Sequence, residues 1–301
     1  MTKSLNSLRV LIAGGSGLVG SALNKHLTNK GMQVKVLSRH AENPIYQWHP
    51  AEGKINTLAL EEADIVINLA GANIAGALWT NSYKKLLRDS RIDSTRTLVE
   101  NLHSVSKKPR HFIQASAIGY YPNGNEWMDE EQESGNDFLG KLTADWEQEA
   151  KPVEDNNTLL STLRLGIVLQ ADEGFLGKTV APAKFGLSAA FGDGKQHISW
   201  IHIDDLVDIF SWMIENEVAG VFNATADQPV SNKEMTSAIA KAIHRPYFLP
   251  NIPRAILKVI FGDLSAELLA NHMVSNKKLQ TKGFSFRFKD IETALNNLLH
   301  G

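Results

Sequence analysis

The chain has 301 residues, with 31 Lys and Arg against 33 Asp and Glu, a formal net charge of −2. That balance excludes a protein held to nucleic acid or to a membrane surface by bulk charge. At 43% hydrophobic and 21% charged, with no cysteine, the chain can bury a full core and carries no disulfide, thiolate or Cys-ligated metal.

In chain order, Leu8–Ala13 is a short β-branched run that stops at glycines, as a buried parallel strand does. Gly17 to Lys30 reads as a helix with Leu18, Ala22, Leu23 and Leu27 on one face, and Gln33–Ser38 is the next strand. Ile65–Leu69, His111–Ala115 and Leu159–Arg164 read as further strands, the first two counted as the fourth and fifth of the sheet. Long helical patterns over Asn81–Val105 and Asp137–Val153 separate them. Strands alternating with helices predict an α/β fold, a Rossmann-type doubly wound parallel sheet, with right-handed crossovers. After about residue 165 the alternation loosens. A strand-like Ile198–Ile203, a helix from Asp204, and a capping box from Ser231 to Glu234 follow, then two more helical stretches after Pro246, Pro250 and Pro253. The expected division is a dinucleotide-binding domain over 1–165, its substrate region running to about 245, and a smaller C-terminal lobe over 246–301. No stretch approaches the roughly 18 apolar residues of a membrane span, and the first eight residues lack the apolar run of a secretory signal. A soluble cytoplasmic protein is the expectation.

Gly14-Gly15-Ser16-Gly17-Leu18-Val19-Gly20 lies between the first strand and the first helix. Glycines at 14, 17 and 20 allow a tight turn, a close approach of backbone to a pyrophosphate, and tight packing of the helix on the sheet. An NAD site wants a carboxylate at the end of the second strand to bind the ribose diol. Here Ser38 and Arg39 stand, 19 residues after Gly20 in the case of Arg39. A guanidinium suits a 2′-phosphate, so NADP(H) is expected over NAD, with Glu42 the one nearby carboxylate that would suit NAD. Asn68-Leu69-Ala70-Gly71 closes the next strand and should pass near the nucleotide.

These residues resemble the short-chain dehydrogenase/reductase superfamily in its extended, epimerase-like form. The resemblance is carried by the glycine motif, Asn68-Leu69-Ala70-Gly71, Ser116 in QASAIGYY, and the Lys141-Leu142 helix with Glu147. More narrowly the chain is similar to the YfcH-like epimerase-family proteins, which end in a domain of unknown function. That likeness rests on Leu78-Trp79-Thr80, Ser90-Arg91-Ile92 with Thr95, Gly119-Tyr120-Tyr121, Asp145-Trp146-Glu147, the run from Leu163 to Leu169, Gly192 to Gln196, Trp200 to Asp205, and Gly283-Phe284 with Phe286. It implies an NADP-type cofactor, a homodimer paired through the two long helices, and a nucleotide-sugar-like small-molecule substrate.

The superfamily's chemistry uses a Ser, a Tyr and a Lys. The phenol exchanges a proton with the substrate oxygen while nicotinamide exchanges a hydride, and the lysine lowers the phenol's pKa. Ser116 and Lys141 match two of the positions, Lys141 also as a ribose contact. The tyrosine position, four residues before Lys141, is Asp137. Three readings follow: Tyr120 or Tyr121 supplies the phenol, Asp137 replaces it, or the protein binds NADP(H) without this chemistry and responds to it as a regulatory or interaction protein. Arg91 reaches a phosphate or pairs with Asp89 or Asp93, and Arg164 either faces the ligand or closes a buried salt bridge. Lys178, Lys195, Gln196 and Trp200 lie where the superfamily builds its substrate pocket, and the basic residues there suit an anionic substrate. His197, His202, Asp204 and Asp205 lack a metal-ligand spacing, an Asp being the expected N-cap of the helix that starts there.

Overall fold

The computed structural model describes residues 7–300. The first six residues, part of the segment read for a secretory signal, lie outside that range, as does Gly301.

Six strands form one wholly parallel sheet: β1 (Arg9–Ala13), β2 (Gln33–Leu37), β3 (Ile65–Asn68), β4 (His111–Ala117), β5 (Leu159–Leu165) and β6 (Gly220–Ala224). Their order across the sheet is β6-β5-β4-β3-β1-β2, so the chain reverses direction between β1 and β3. The interior strands are buried on both faces, which is why they read as unbroken apolar runs. The helices are α1 (Leu18–Asn29), α2 (Thr57–Glu62), α3 (Asn81–Ser104), α4 (Phe138–Ala150), α5 (Gly174–Ala183), α6 (Ile203–Asn216) and α7 (Asn232–Ala242). Four short ones follow: α8 (Arg254–Phe261), α9 (Leu264–Leu268), α10 (Lys277–Thr281) and α11 (Ile291–His300).

One apolar layer packs α1 and α6 on the sheet through Leu23, Leu27, Phe210, Met213 and Phe222. The opposite layer packs α2 and α3 through Leu60, Leu98, Leu102 and Phe112. A third cluster, with Leu176, Trp200, Met235, Ile239 and Leu295, holds α5, α7 and α11 together. The last segment is tied to the sheet domain where Met273–Val274 pairs with Trp127–Met128.

Several expectations need adjusting. Ile65–Asn68 is the third parallel strand rather than the fourth, because the stretch between β2 and β3 forms a small antiparallel pair, Trp48–His49 with Lys54–Ile55, outside the sheet. β6 was not marked by the sequence, and Gly220 at its start weakens the strand signal. Together with α6 it completes the sheet although both follow residue 165. The helix expected from Asp204 is capped by His202, whose Nδ1 accepts from the Asp204 amide at 3.0 Å. Asp205 instead accepts from the Arg287 and Phe288 amides and pins the C-terminal segment. The two helical stretches expected after Pro253 are four short helices. The capping box at Ser231 and Glu234 forms as its pattern predicts.

Candidate functional site

The glycine loop leaves β1 and enters α1 at the carboxyl edge of the sheet, beside the point where the strand order reverses. Gly14 has φ +81°, and a Cβ there would lie 2.7 Å from the Leu69 carbonyl carbon, so the glycine loop and the segment after β3 touch backbone to backbone. A Cβ on Gly20 would strike the Gly14 carbonyl oxygen and stand 2.6 Å from Gly15 Cα, which seats the first turn of α1 on the loop. Gly17, the N-cap, is different: a Cβ there would meet only the Gly14 oxygen, at 3.5 Å. Its surroundings are open, and no side chain caps the helix. The amides of Leu18, Val19 and Gly20 therefore have no intrahelical acceptor and form, with exposed Ser16, a cradle for an anion.

Ser38 follows β2 and binds the Gln47 edge, its hydroxyl accepting from the His40 amide. The side chain of Arg39 is exposed and engages no carboxylate among the described residues. The residues present therefore fit a dinucleotide carrying a 2′-phosphate: open backbone at Gly17, free helix amides and a free guanidinium.

Asn68 is fully buried and acts on the loop from within: its amide donates to Thr95 and Gln114, and its oxygen accepts from the Ala70 amide. Leu69 is half-buried, Ala70 buried and Gly71 exposed, with Arg91 packed against Gly71. Arg91 pairs with neither Asp89 nor Asp93. It donates to the Ala72 and Leu87 carbonyls and lies 5.1 Å over the Trp146 ring. Burial pulls its pKa down to about 10, so it stays charged at neutral pH with no counter-ion.

Around Ser116 the structure builds a closed buried network. Ser116 Oγ donates to Glu147 Oε1 at 2.6 Å, and Glu147 is held in a two-pronged ion pair by Arg164, at 2.8 and 2.9 Å. Arg164 Nη1 also donates to the Tyr121 hydroxyl at 3.0 Å, and that hydroxyl donates to Asn223 Oδ1 at 2.7 Å. Burial opposes the charge on Arg164, but the Glu147 carboxylate outweighs it and raises the pKa. Of the two readings of Arg164, the salt bridge is the one present.

The two candidate phenols part company here. Tyr121 is 0% exposed, both sides of its hydroxyl are engaged, and burial pushes its pKa up to about 12. It is a structural strut rather than an acid poised for a substrate. Tyr120 is half-exposed, its ring lies 3.4 Å from the Arg164 guanidinium carbon, and its hydroxyl has no hydrogen-bond partner. Asp137 caps α4, accepting from the Gly140 amide at 2.8 Å, and its carboxylate is spent there. Lys141 is exposed without a partner. Leu139, Thr143 and Glu147 form the buried edge of α4, and Lys141 lies about 200° around the helix from Thr143.

Of the proposed substrate residues, Trp200 and Gln196 are buried and Lys178 and Lys195 exposed. Trp200 is a core side chain, 0% exposed, its indole donating to the Gln228 carbonyl. Gln196 is buried and straps the loop at Phe191 to Leu268, donating to both carbonyls. Lys178 is exposed and donates to the Ala75 carbonyl at 2.7 Å, while Lys195 is exposed on its loop. Among the described residues no group of three or more His, Asp or Glu could hold a metal ion, and no helix is long and apolar enough to cross a membrane. Sequence reasoning missed the pairing role of Glu147, for which its spacing from Thr143 on α4 was the available signal.

A parallel sheet with this strand order and this glycine loop at its reversal defines a Rossmann-like dinucleotide-binding protein. The profile of the NAD dependent epimerase/dehydratase family matches residues 10–148, and that of a domain of unknown function, DUF1731, matches residues 252–298. The epimerase family protein YfhF of Bacillus subtilis is 33% identical over 97% of this chain and 98% of its own. The crystal structure of human epimerase family protein SDR39U1 with NADPH superposes with a TM-score of 0.89 at 29% identity, covering 97% of this chain and 99% of that one. A nucleoside-diphosphate sugar epimerase from Corynebacterium glutamicum superposes with a TM-score of 0.80 at 31% identity, over 97% of this chain and 58% of that one. The chain belongs to the epimerase family, as an NAD(P)-binding Rossmann protein with a DUF1731 C-terminal segment.

Proposed function

We propose that this protein binds NADP(H) and is an oxidoreductase or epimerase-like enzyme acting on a hydroxyl or carbonyl group of a small molecule. The observation that carries the reading is the cradle at Gly14, Gly17 and Gly20, open only at Gly17 and lined by free α1 amides. Exposed Arg39 beside Ser38 supports the phosphorylated dinucleotide, as does the NADPH bound to the human relative. Arg91, charged and without a counter-ion, supplies a second cationic contact on the Gly71 side.

When bound, the dinucleotide supplies or accepts a hydride. The chain's own part is binding, orientation and proton handling. The α1 amides hold the pyrophosphate, and the Asn68 hydrogen bonds keep the facing loop in register. Ser116 spends its one hydrogen-bond donor on Glu147, so only its lone pairs are left to accept from a substrate hydroxyl. Of the two phenols only Tyr120 keeps a free hydroxyl. A cytoplasmic homodimer is part of the reading, checked by light scattering on the purified chain.

The test is an equilibrium titration of NADPH and NADH on the wild type and on Arg39→Ala. A preference for NADPH of about tenfold, roughly 1.4 kcal/mol, that collapses in the variant is expected. Binding of neither nucleotide overturns the reading. Tight NADPH binding without turnover of any hydroxyl or carbonyl compound would favour the other reading, a nucleotide-responsive protein that has lost the Tyr-x-x-x-Lys chemistry.

A further inference from the structure

A cleft of about 550 Å³, open to solvent, lies at the carboxyl end of the sheet. Ile118 and Ile167, which follow β4 and β5, line it together with Phe175, Phe191 and Ile198, and Leu268 of the C-terminal segment closes it. No Lys or Arg is among its lining residues. The phosphates of a nucleotide-diphosphate sugar are ordinarily met by cations, and this cleft offers none.

Its polar side chains are mostly occupied. Asn232 accepts from the Phe191 amide, Ser199 donates to the His272 carbonyl, and the His197 ring is held by Asn271. Two are not. The Glu267 carboxyl, on α9, is recessed into the cleft and has no hydrogen-bond or ion-pair partner among the described residues. His272 is only 6% exposed, and its Nε2 is sealed from water with no partner. A buried polar atom left unpaired costs about 1–3 kcal/mol, so such an atom beside a cleft is one that a ligand can satisfy.

We propose that this cleft takes an uncharged, largely apolar hydroxyl or carbonyl compound, and that Glu267 is the group that exchanges a proton with its oxygen. The inference rests on the NADP(H) reading above and names its substrate class and proton carrier. In the oxidising direction the substrate O–H bond breaks and its proton passes to the Glu267 carboxylate. The C–H electron pair leaves as hydride to the oxidised nicotinamide, whose reduction balances the oxidation of alcohol to carbonyl. The reverse reaction takes the proton from the Glu267 carboxylic acid. Tyr120, the other free group, does not line the cleft.

The surroundings suit Glu267 to that role. Burial pushes its pKa up to about 7, and the negative charge of Asp137 at the head of α4 adds to the rise. The other titratable groups facing it are His197 and His272. Burial lowers the pKa of His272, so it stands as a neutral imidazole. A carboxyl poised near neutrality is matched to acid–base work at neutral pH.

The test uses the full chain with NADPH and three probes: benzaldehyde, cyclohexanone and UDP-glucose. Methyl NMR of Ile118, Ile167 and Ile198 reads cleft occupancy, and loss of NADPH absorbance reads reduction. The two uncharged carbonyl compounds should shift those methyls and be reduced, and UDP-glucose should do neither. Glu267→Gln should keep NADPH affinity and the methyl shifts but lose about 100-fold or more in rate. Its residual rate should lack the wild type's fall as pH rises through about 7. The proposal is overturned if UDP-glucose moves the methyls, if neither carbonyl compound does, if both bind without turnover, or if Glu267→Gln keeps the wild-type rate. A wild type that fails to bind NADPH overturns the nucleotide reading and this one with it, an outcome the nucleotide titration reads separately.

Discussion

Gly17→Ala and Gly20→Ala, three residues apart on the same loop, should fail in opposite ways. At Gly20 the added methyl meets backbone that no rotamer change can move: the Gly14 carbonyl, and Gly15 Cα at 2.6 Å. Ordinary carbon contact is about 3.5–4.0 Å, so α1 must lift from the loop by roughly 1 Å. Replacing glycine by alanine inside a helix gains about 0.5–1 kcal/mol, and forcing a methyl into a packed site costs about 1–3 kcal/mol. The steric cost wins because the obstacles are backbone atoms at the junction of β1 and the loop. Gly20→Ala should therefore lose roughly 1–2 kcal/mol in urea unfolding and weaken NADPH binding because the cradle is displaced. At Gly17 the nearest atom is 3.5 Å away, and φ −78° with ψ 173° is open to any residue. Gly17→Ala should lose no more than about 0.5–1 kcal/mol, the N-cap preference of Gly over Ala, yet lose NADPH binding by about tenfold or more, since its methyl fills the space the pyrophosphate needs. Paired urea melts and nucleotide titrations decide it. A Gly20→Ala protein as stable as wild type, or a Gly17→Ala protein with undiminished affinity, would refute the assignment of one glycine to packing and the other to the ligand.

Removing Glu147 by Glu147→Ala leaves the Arg164 guanidinium buried and unpaired beside Ser116 and should cost about 3–5 kcal/mol in chemical denaturation. The double variant Glu147→Met with Arg164→Met should recover most of that loss, and a double as unstable as the single would count against the burial argument. His111 gives a pH dependence: burial, with the charge of Arg110 adding, lowers its folded pKa to about 4 from the ordinary 6.5. The neutral imidazole is favoured in the folded state, so its contribution is fully present above pH 6.5 and is lost as pH falls toward 4. The loss can reach roughly 3 kcal/mol at about 1.4 kcal/mol per unit. Unfolding free energies at stepped pH should show that slope in the wild type and a shallower one in His111→Gln; equal slopes would remove His111 from the account.

Local signals carried much of this protein. The run from Arg9 to Ala13, the three glycines, the absence of a carboxylate at Ser38-Arg39 and the Ser231–Glu234 box each act within one turn or one strand. Short-range sterics and capping decide them, and the sequence shows both. The sheet's parallel character followed from strands too apolar to leave a face in water. Gly220–Ala224 stayed hidden because a five-residue strand that opens on glycine has no periodicity of its own, and it becomes a strand only by pairing with β5.

The nucleotide side of the candidate site rests on consecutive residues and its substrate side does not, for one physical reason. Phosphate recognition is built from consecutive backbone amides, whereas substrate recognition joins side chains remote in the chain. Trp200 and Gln196 read as pocket residues, but Trp200 donates to one carbonyl in the core and Gln196 to two in the C-terminal strap. Tyr121 differs from Tyr120 by one position, and that position turns one phenol into the Arg164–Asn223 network and leaves the other free. Glu267 and His272 meet Ile118 only because the last segment folds back over the strand ends and pairs at Met273–Val274. The sequence by itself determined the class of fold and the glycine loop between its first strand and first helix. Which buried charges are paired, and which carboxyl is left facing a cleft, depended on contacts between different elements, such as Arg164 on β5 with Glu147 on α4, and only the tertiary structure decides those.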